Sequence, residues 1–309
     1  MPATRKPLPL PTRHGVSASR VALPAGNWHT VFDFLCDRFP AVSQQEWTAR
    51  FDEGLVLDWQ GAALSATQPY LPHSLLHYYR RVPDEPELPF KAQVLFQDAH
   101  LVVADKPHFM PVTPAGRYVR SSLLVQLKEQ LGIDTLSPLH RIDRETAGLV
   151  LFSVVPHERD AYQALFRERQ VHKVYQAVAP VRNDLTFPLT YRSRLESSAE
   201  FFRSHEVTGE PNSETTVRLL KTESIDAKEN GLYELEPVTG QRHQLRIHMN
   251  ALGLPIEGDQ FYPAVLRGPH EAEDFSQPLQ LLAQRIAFTD PLTGEARAFH
   301  SAQALRLAL

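Results

Sequence analysis

Cysteine is nearly absent, with Cys36 standing alone in 309 residues. One thiol cannot close an internal disulfide framework or supply a cysteine-rich zinc or iron–sulfur site, so a reducing, cytoplasmic setting is expected. Long apolar runs are missing as well. No stretch approaches the roughly 18–20 residues that cross a bilayer, and the opening MPATRKPLPLPTRHGVSASR lacks the apolar region of a secretory signal. Membrane insertion and export are therefore not expected. Positive charge is not in excess either: the formal net charge of -4 argues against a surface that binds nucleic acid indiscriminately. Internal repeats, G-x-x-x-x-G-K-[ST] and G-x-G-x-x-G are all absent.

What is present describes a chain that folds in water. Hydrophobic residues make up 42% and charged residues 22%, ordinary for a globular protein, and the length suits one large domain or two ordinary ones. Charge is unevenly spread. Between Arg159 and Arg203 eight Lys or Arg stand against five Asp or Glu, a local excess of three that permits a basic groove.

Residues 1–20 carry prolines and basic residues without periodicity and read as a flexible arm. Residues 21–82 read as a small N-terminal α+β domain: VFDFLCDRFPAVSQQEWTAR has helical apolar spacing broken at Pro40, and GLVLDWQG is a short strand ending in a turn. Pro83, Pro86 and Pro89 make 83–90 an extended linker, because proline can continue neither a helix nor a central strand. Residues 91–309 form the larger domain. Strands are expected at LVVAD, GLVLFSVV, HKVYQAVAPV, GLYELEPVTG and LLAQRIAFTD, with helices at SSLLVQLKEQLG, ending at Gly132, and from Pro156. Strands outnumber helices without strict alternation, which predicts an α+β fold with a mixed, largely antiparallel sheet and flanking helices.

Three clusters can carry chemistry. The first is HRIDRETAG, where His140, Arg141, Asp143, Arg144, Glu145 and Thr146 crowd a polar loop between apolar runs. A carboxylate between Arg141 and Arg144 stays ionised, and an ionised carboxylate near a ribose can act as nucleophile or stabilise charge at the anomeric carbon. Spacing alone favours an exposed loop with a capping Asp and surface salt bridges. The second is TGQRHQLRIHMNALG, a turn opening a helix in which His243 and Arg246 share a face and Arg246 can reach a carboxylate. His243 and His248 are spaced poorly for a metal, so hydrogen-bonded structural histidines are the better reading and no metal is expected. In the third, VHKVYQAVAP, Lys173 and Tyr175 alternate to one strand face; the tyrosine can stack on a base, although ordinary packing explains it on spacing alone.

Taken in order, these segments resemble the RluA family of pseudouridine synthases. HRIDRETAG is similar to the family's H-R-L-D-x-x-T-S-G, with Ile142 and Ala147 as mild changes. ADKPHFMPVTP resembles N-K-P-x-G-x-x-V-x-P, with Asp105 for asparagine and Phe109 where glycine is usual. HKVYQAV, TGQRHQLRIHMNALGLPIEGDQFY and LLAQRIAFTDPLTGE follow in the family's order, LLAQ standing where L-L-H-A is usual, so the resemblance spans about residues 94–299.

The resemblance implies a pseudouridine synthase fold and the isomerisation of uridine to pseudouridine in structured ribosomal or transfer RNA. That reaction needs neither redox chemistry nor energy input, so no cofactor is expected. It implies Asp143 as the essential carboxylate, Arg246 as its ion-pair partner and Tyr175 as the residue stacking on the target base and assisting removal of the carbon-5 proton. Arg141 would fill the vacated stack or contact phosphate, with Lys106, Lys173 and His140 as further RNA contacts or structural groups. Residues 31–61 resemble a degenerate form of the small RNA-binding domain that often precedes this catalytic domain. The expected partner is RNA, for a monomer without membrane or metal. The competing reading is an RNA-binding or remodelling protein on the same fold with weak or no catalysis.

Overall fold

The computed structural model describes residues 10–13, 15–80, 85, 87–198, 203–225, 228–266, 271 and 274–307. It divides into two compact units, Met1–Pro86 with Pro114–Asp134, and Glu87–Thr113 with Thr135–Leu309. Much of the expected arm (residues 1–9 and 14) and part of the expected linker (83, 84 and 86) lie outside the described residues.

The first unit holds β1 (Ser19–Ala22), α1 (Val31–Arg38), α2 (Gln44–Asp52), β2 (Val56–Asp58) and β3 (Leu75–Tyr78), its strands in the antiparallel order β1-β3-β2. Thr30 and Asp33 cap α1 reciprocally, Asp33 N–H donating to Thr30 Oγ1 at 3.1 Å and Thr30 N–H to Asp33 Oδ2 at 3.0 Å. Ser43 caps α2 after the break at Pro40. The apolar faces of both helices, carrying Phe34, Leu35, Trp47 and Phe51, close on Val56, Leu76 and Tyr78. Each such side chain taken out of water contributes roughly 1.5–3 kcal/mol.

This unit departs from the expected division in two ways. The described part of the arm is tied down: Tyr79 Oη donates to the Pro11 carbonyl, and Val16 is buried with Val119 and Val125. Residues 114–134, expected in the larger domain, belong here instead. They include α3 (Leu123–Leu131), which ends at a left-handed Gly132 as expected. Glu85 holds them by accepting the N–H groups of Val119, Arg120 and Ser121, and Lys128 donates to Ser17 Oγ at 2.9 Å.

The second unit begins with β4 (Gln93–Gln97) and β5 (Leu101–Lys106), followed by β6 (Ser137–Pro138), β7 (Ala147–Ser153), α4 (Arg159–Arg167) and β8 (His172–Pro180). Then come β9 (Leu189–Ser197), β10 (Ser204–Val207), β11 (Ser213–Ile225), β12 (Lys228–Pro237), α5 (Gln244–Ala251), β13 (Leu281–Thr289) and β14 (Ala296–His300). Among the described residues these strands make one 11-stranded sheet, ordered β10-β9-β11-β12-β8-β13-β7-β5-β4, with β14 on β13 and β6 on β7. Every pairing is antiparallel except β13 with β7. The mixed, largely antiparallel sheet with flanking helices is thus as expected.

The hairpin strands β9, β10 and β11 were not anticipated. Their alternating residues are polar and half-exposed, as in LTYRSRLES, so the apolar signal of a strand is weak. Helix α4 starts at Arg159, because residues after Pro156 form a turn. Its Tyr162 and Leu165 pack with Leu101, Val103, Leu149, Leu151 and Ile286, while Leu245 and Met249 of α5 pack with Ala177, Tyr233, Leu235 and Leu281.

The parallel contact depends on one glycine. Gly148 has φ +110°, and a Cβ there would lie 2.3 Å from the Ala283 carbonyl oxygen of β13. Both the dihedral and the backbone approach exclude a side chain. Gly148→Ala is therefore expected to destabilise the fold by more than about 2 kcal/mol in urea denaturation; a stability within about 0.5 kcal/mol of the parent would contradict this account of the β7–β13 contact.

Candidate active site

The loop between β6 and β7 carries the densest chemistry, and its ends are pinned before its functional groups emerge. Leu139 N–H donates to the Leu151 carbonyl at 2.8 Å, and Leu151 N–H donates to His140 Nε2 at 3.2 Å. The His140 ring stacks on Phe166, centroids 4.7 Å apart. Burial first, and the Lys173 charge second, push the His140 pKa down to about 3, so the ring is a neutral acceptor. A direct ionic contact to RNA does not suit it. Thr146 N–H closes the turn onto the Asp143 carbonyl at 3.2 Å. Arg141 is exposed beside this turn, and the Asp143 side chain remains 24% exposed.

Helix α5 brings Arg246 to Asp143 from the other half of the sheet. The guanidinium is 1% exposed. It donates Nε and Nη2 to Asp259 Oδ2 and Oδ1 at 2.8 and 2.7 Å, a two-pronged pair, and turns Nη1 to Asp143 Oδ2 at 3.3 Å. Glu145 Oε2 lies 3.7 Å from the same Nη1. Asp259 is fixed in turn by the N–H groups of Phe261 and Tyr262, at 2.8 and 3.2 Å. The rings of Phe261 and Tyr262 lie 5.0 and 5.5 Å from the guanidinium carbon. Burial opposes the Arg246 charge, but Asp259, then Asp143 and Glu145, more than offset it and raise its pKa.

The same neighbours keep Asp143 ionised. Burial works against the anion, and His243 in its protonated form, then Arg246 and Lys106, outweigh it, so its carboxyl is held below the usual range. His243, expected inside the helix, instead caps it in the left-handed region at φ 57°, which aims Nε2 at Asp143 Oδ1, 3.8 Å away.

The remaining expected residues separate into those at the site and those supporting it. Tyr175 on β8 packs against the cluster around Leu235 and Leu245, close enough to Asp143 that burial and then the carboxylate charge raise its pKa. Its phenol holds its proton, so the ring face is its useful surface and a role as base is disfavoured. Lys173 is half-buried and donates to the Thr239 carbonyl at 3.3 Å, tying β8 to the turn before α5. Lys106 is 0% exposed and donates to the carbonyls of Pro107 and Arg144 at 3.0 and 3.1 Å. Burial pushes its pKa down to about 7, against the charges of Glu145 and Asp143. A phosphate contact is closed to Lys106 in this structure; it is a strut beneath the loop.

The departures around Lys106 have physical readings. Asp105 is buried and accepts from Ser301 Oγ, Ala302 N–H and Gln303 Nε2, the last at 2.6 Å. Phe109 adopts φ 65°, where glycine is easier, and packs its ring between Phe90 and Phe275. His248 faces the Ser193, Ser213 and Thr215 hydroxyls and is driven down to about 4 by burial, the structural role read from its spacing. Among the described residues no group of three or more His, Cys, Asp or Glu is placed to hold a metal ion. Asp259 and Tyr262 were not anticipated at the site; the available signal was an acid followed by two aromatics after Gly258, within reach of a helix that buries an arginine.

A family model for RNA pseudouridylate synthase matches residues 100–251. The chain is 31% identical over 237 residues to an uncharacterized RNA pseudouridine synthase of Synechocystis, spanning 75% of this chain and 79% of that protein. It is 30% identical over 223 residues to the dual-specificity RNA pseudouridine synthase RluA of Haemophilus influenzae, spanning 67% and 91%. Among solved structures, human RNA pseudouridylate synthase domain containing 1 aligns with a TM-score of 0.57 at 22% identity over 71% of this chain and 86% of its own, a likeness of fold. Human RNA pseudouridylate synthase domain containing 4 aligns with a TM-score of 0.53 at 25% identity over 69% and 89%.

Removing Asp259 leaves a buried cation with its strongest partner gone. Asp259→Ala is expected to cost about 3–5 kcal/mol in urea denaturation. A loss under about 1 kcal/mol would mean that Arg246 does not depend on the pair.

Proposed function

This chain belongs to the RluA family of RNA pseudouridine synthases and isomerises uridine to pseudouridine in RNA, and on that premise we propose that Asp143 is the carboxylate that performs the chemistry. The observation that carries this is the pairing of a buried, Asp259-clamped Arg246 with Asp143 Oδ2 at 3.3 Å, which leaves a partly exposed, ionised carboxylate at the centre of the site.

The isomerisation breaks the bond between ribose C1′ and uracil N1, turns the freed base, and joins C1′ to C5. C5 gives up its proton and N1 ends protonated, so atoms balance without a further reactant. An anionic carboxylate can attack C1′ or take the 2′ proton, and both routes require the charge that Arg246 and Lys106 maintain. Tyr175 offers a flat, protonated ring beside Asp143, suited to stacking on uracil. A paired base has to leave its stack first, at a cost of a few kcal/mol. Arg141, exposed two residues before Asp143, is the side chain we assign to that gap or to a phosphate. The substrate class is structured ribosomal or transfer RNA, in keeping with relatives named as dual-specificity synthases.

Asp143→Asn is expected to abolish pseudouridine formation while RNA binding stays within a few fold; turnover near that of the parent would refute the assignment. Arg246→Lys keeps a charge but cannot serve Asp259 and Asp143 together, and a fall in kcat of at least about 100-fold is expected in single-turnover assays. An unchanged rate would take Arg246 out of the site.

A further inference from the structure

The two oxygens of Asp143 have different neighbours. Oδ2 faces the permanent cation Arg246 at 3.3 Å, and Oδ1 faces Nε2 of His243 at 3.8 Å. The imidazole is fixed from behind: it lies parallel to Phe261, centroids 6.0 Å apart, and its Nδ1 is 3.0 Å from the Tyr262 hydroxyl. That hydroxyl has a single proton. It donates to the Ser204 carbonyl at 2.9 Å and accepts the Ser204 N–H at 3.0 Å. A carbonyl brings no proton of its own, so the contact with Ser204 uses the one the hydroxyl has. Nδ1 of His243 must then carry the hydrogen that joins it to Tyr262. In the neutral ring the lone pair is left on Nε2, aimed at a carboxylate oxygen.

We propose that His243 is a positioning residue for Asp143: a bare Nε2 leaves Oδ1 free to act on the ribose, and a protonated Nε2 ties Oδ1 into a second ion pair and silences it. This rests on the reading of Asp143 as the reacting carboxylate. The groups facing the ring act in opposite directions. Asp143 and Glu145 on the loop favour the imidazolium, while Arg246 on α5 and Arg242 in the turn before it oppose it. Tyr262 is a neutral acceptor, and burial, the largest influence, also opposes the charge. The net effect holds His243 below the ordinary histidine value. At neutral pH the ring is therefore uncharged and Oδ1 is free, and activity is lost as pH falls through the depressed His243 value.

The test combines the pH profile of single-turnover kcat with NMR of the ring nitrogens in the full chain. His243→Asn keeps a donor for Tyr262 in place of Nδ1–H but has no Nε2. Its acid limb should move down by about one pH unit or more, with KM for RNA within about twofold of the parent. In the parent, the neutral ring should carry its hydrogen on Nδ1; Tyr262→Phe should shift hydrogen toward Nε2, and Asp143→Asn should lower the ring's pKa further. An acid limb unmoved in His243→Asn, or a neutral parent ring protonated on Nε2, overturns the proposal. Should His243→Asn fail to fold, the tautomer and the titration in Asp143→Asn decide it. Full turnover in Asp143→Asn would defeat the reading of Asp143, whereas the NMR measurements judge the His243 geometry independently of turnover.

Discussion

A guanidinium withdrawn from water governs this site. Arg246 is 1% exposed, and a cation so placed is tolerable only where carboxylates surround it with good geometry. Asp259 supplies two parallel hydrogen bonds and is itself held by two backbone N–H groups. That leaves Nη1 with a fixed direction, toward Asp143 and Glu145. The direction from which Arg246 meets Asp143 thus follows from a pair that Asp143 does not belong to. A lysine could not do this, because a point charge has no fork to divide between two carboxylates.

The sheet makes that meeting possible. Asp143 precedes β7 and Arg246 follows β12, and these strands are joined laterally through β13 and β8. The parallel contact between β7 and β13 brings the two halves together at Ala147 and Gly148, immediately after the loop. A side chain at 148 would separate them. Lys106, on neighbouring β5, holds the loop from beneath by taking the Arg144 carbonyl, and Asp105 fastens the same strand to the segment around Ser301–Gln303. Polar groups that read as contacts for a ligand thus serve as struts, because a loop carrying so many charges needs its backbone carbonyls satisfied.

Much of this was legible in residue order. The break at Pro40, the left-handed Gly132, the strands LVVAD and HKVYQAV, and the prevalence of strands over helices are local signals, and local chemistry expresses them directly. The pairing of Asp143 with Arg246 came from motif resemblance and agrees with the geometry. Strands β9 to β11 escaped because their half-exposed faces carry too few apolar residues to mark a period. His243 was placed on a helical face by counting, yet the helix begins one residue later and the left-handed backbone sends the ring to Asp143 by another route.

By itself the sequence determined most element types, the family, the reaction on RNA, and the carboxylate, arginine and tyrosine expected to serve it. These depend on short-range pattern and on the order of motifs, both of which a linear string preserves. Only the tertiary structure decided which charged groups are accessible. It buried Lys106, neutralised His140, gave Arg246 a second carboxylate in Asp259, and set Tyr262 behind His243. Burial and tautomer depend on what packs against a side chain from distant positions, and solvation energy has no expression in a one-dimensional pattern.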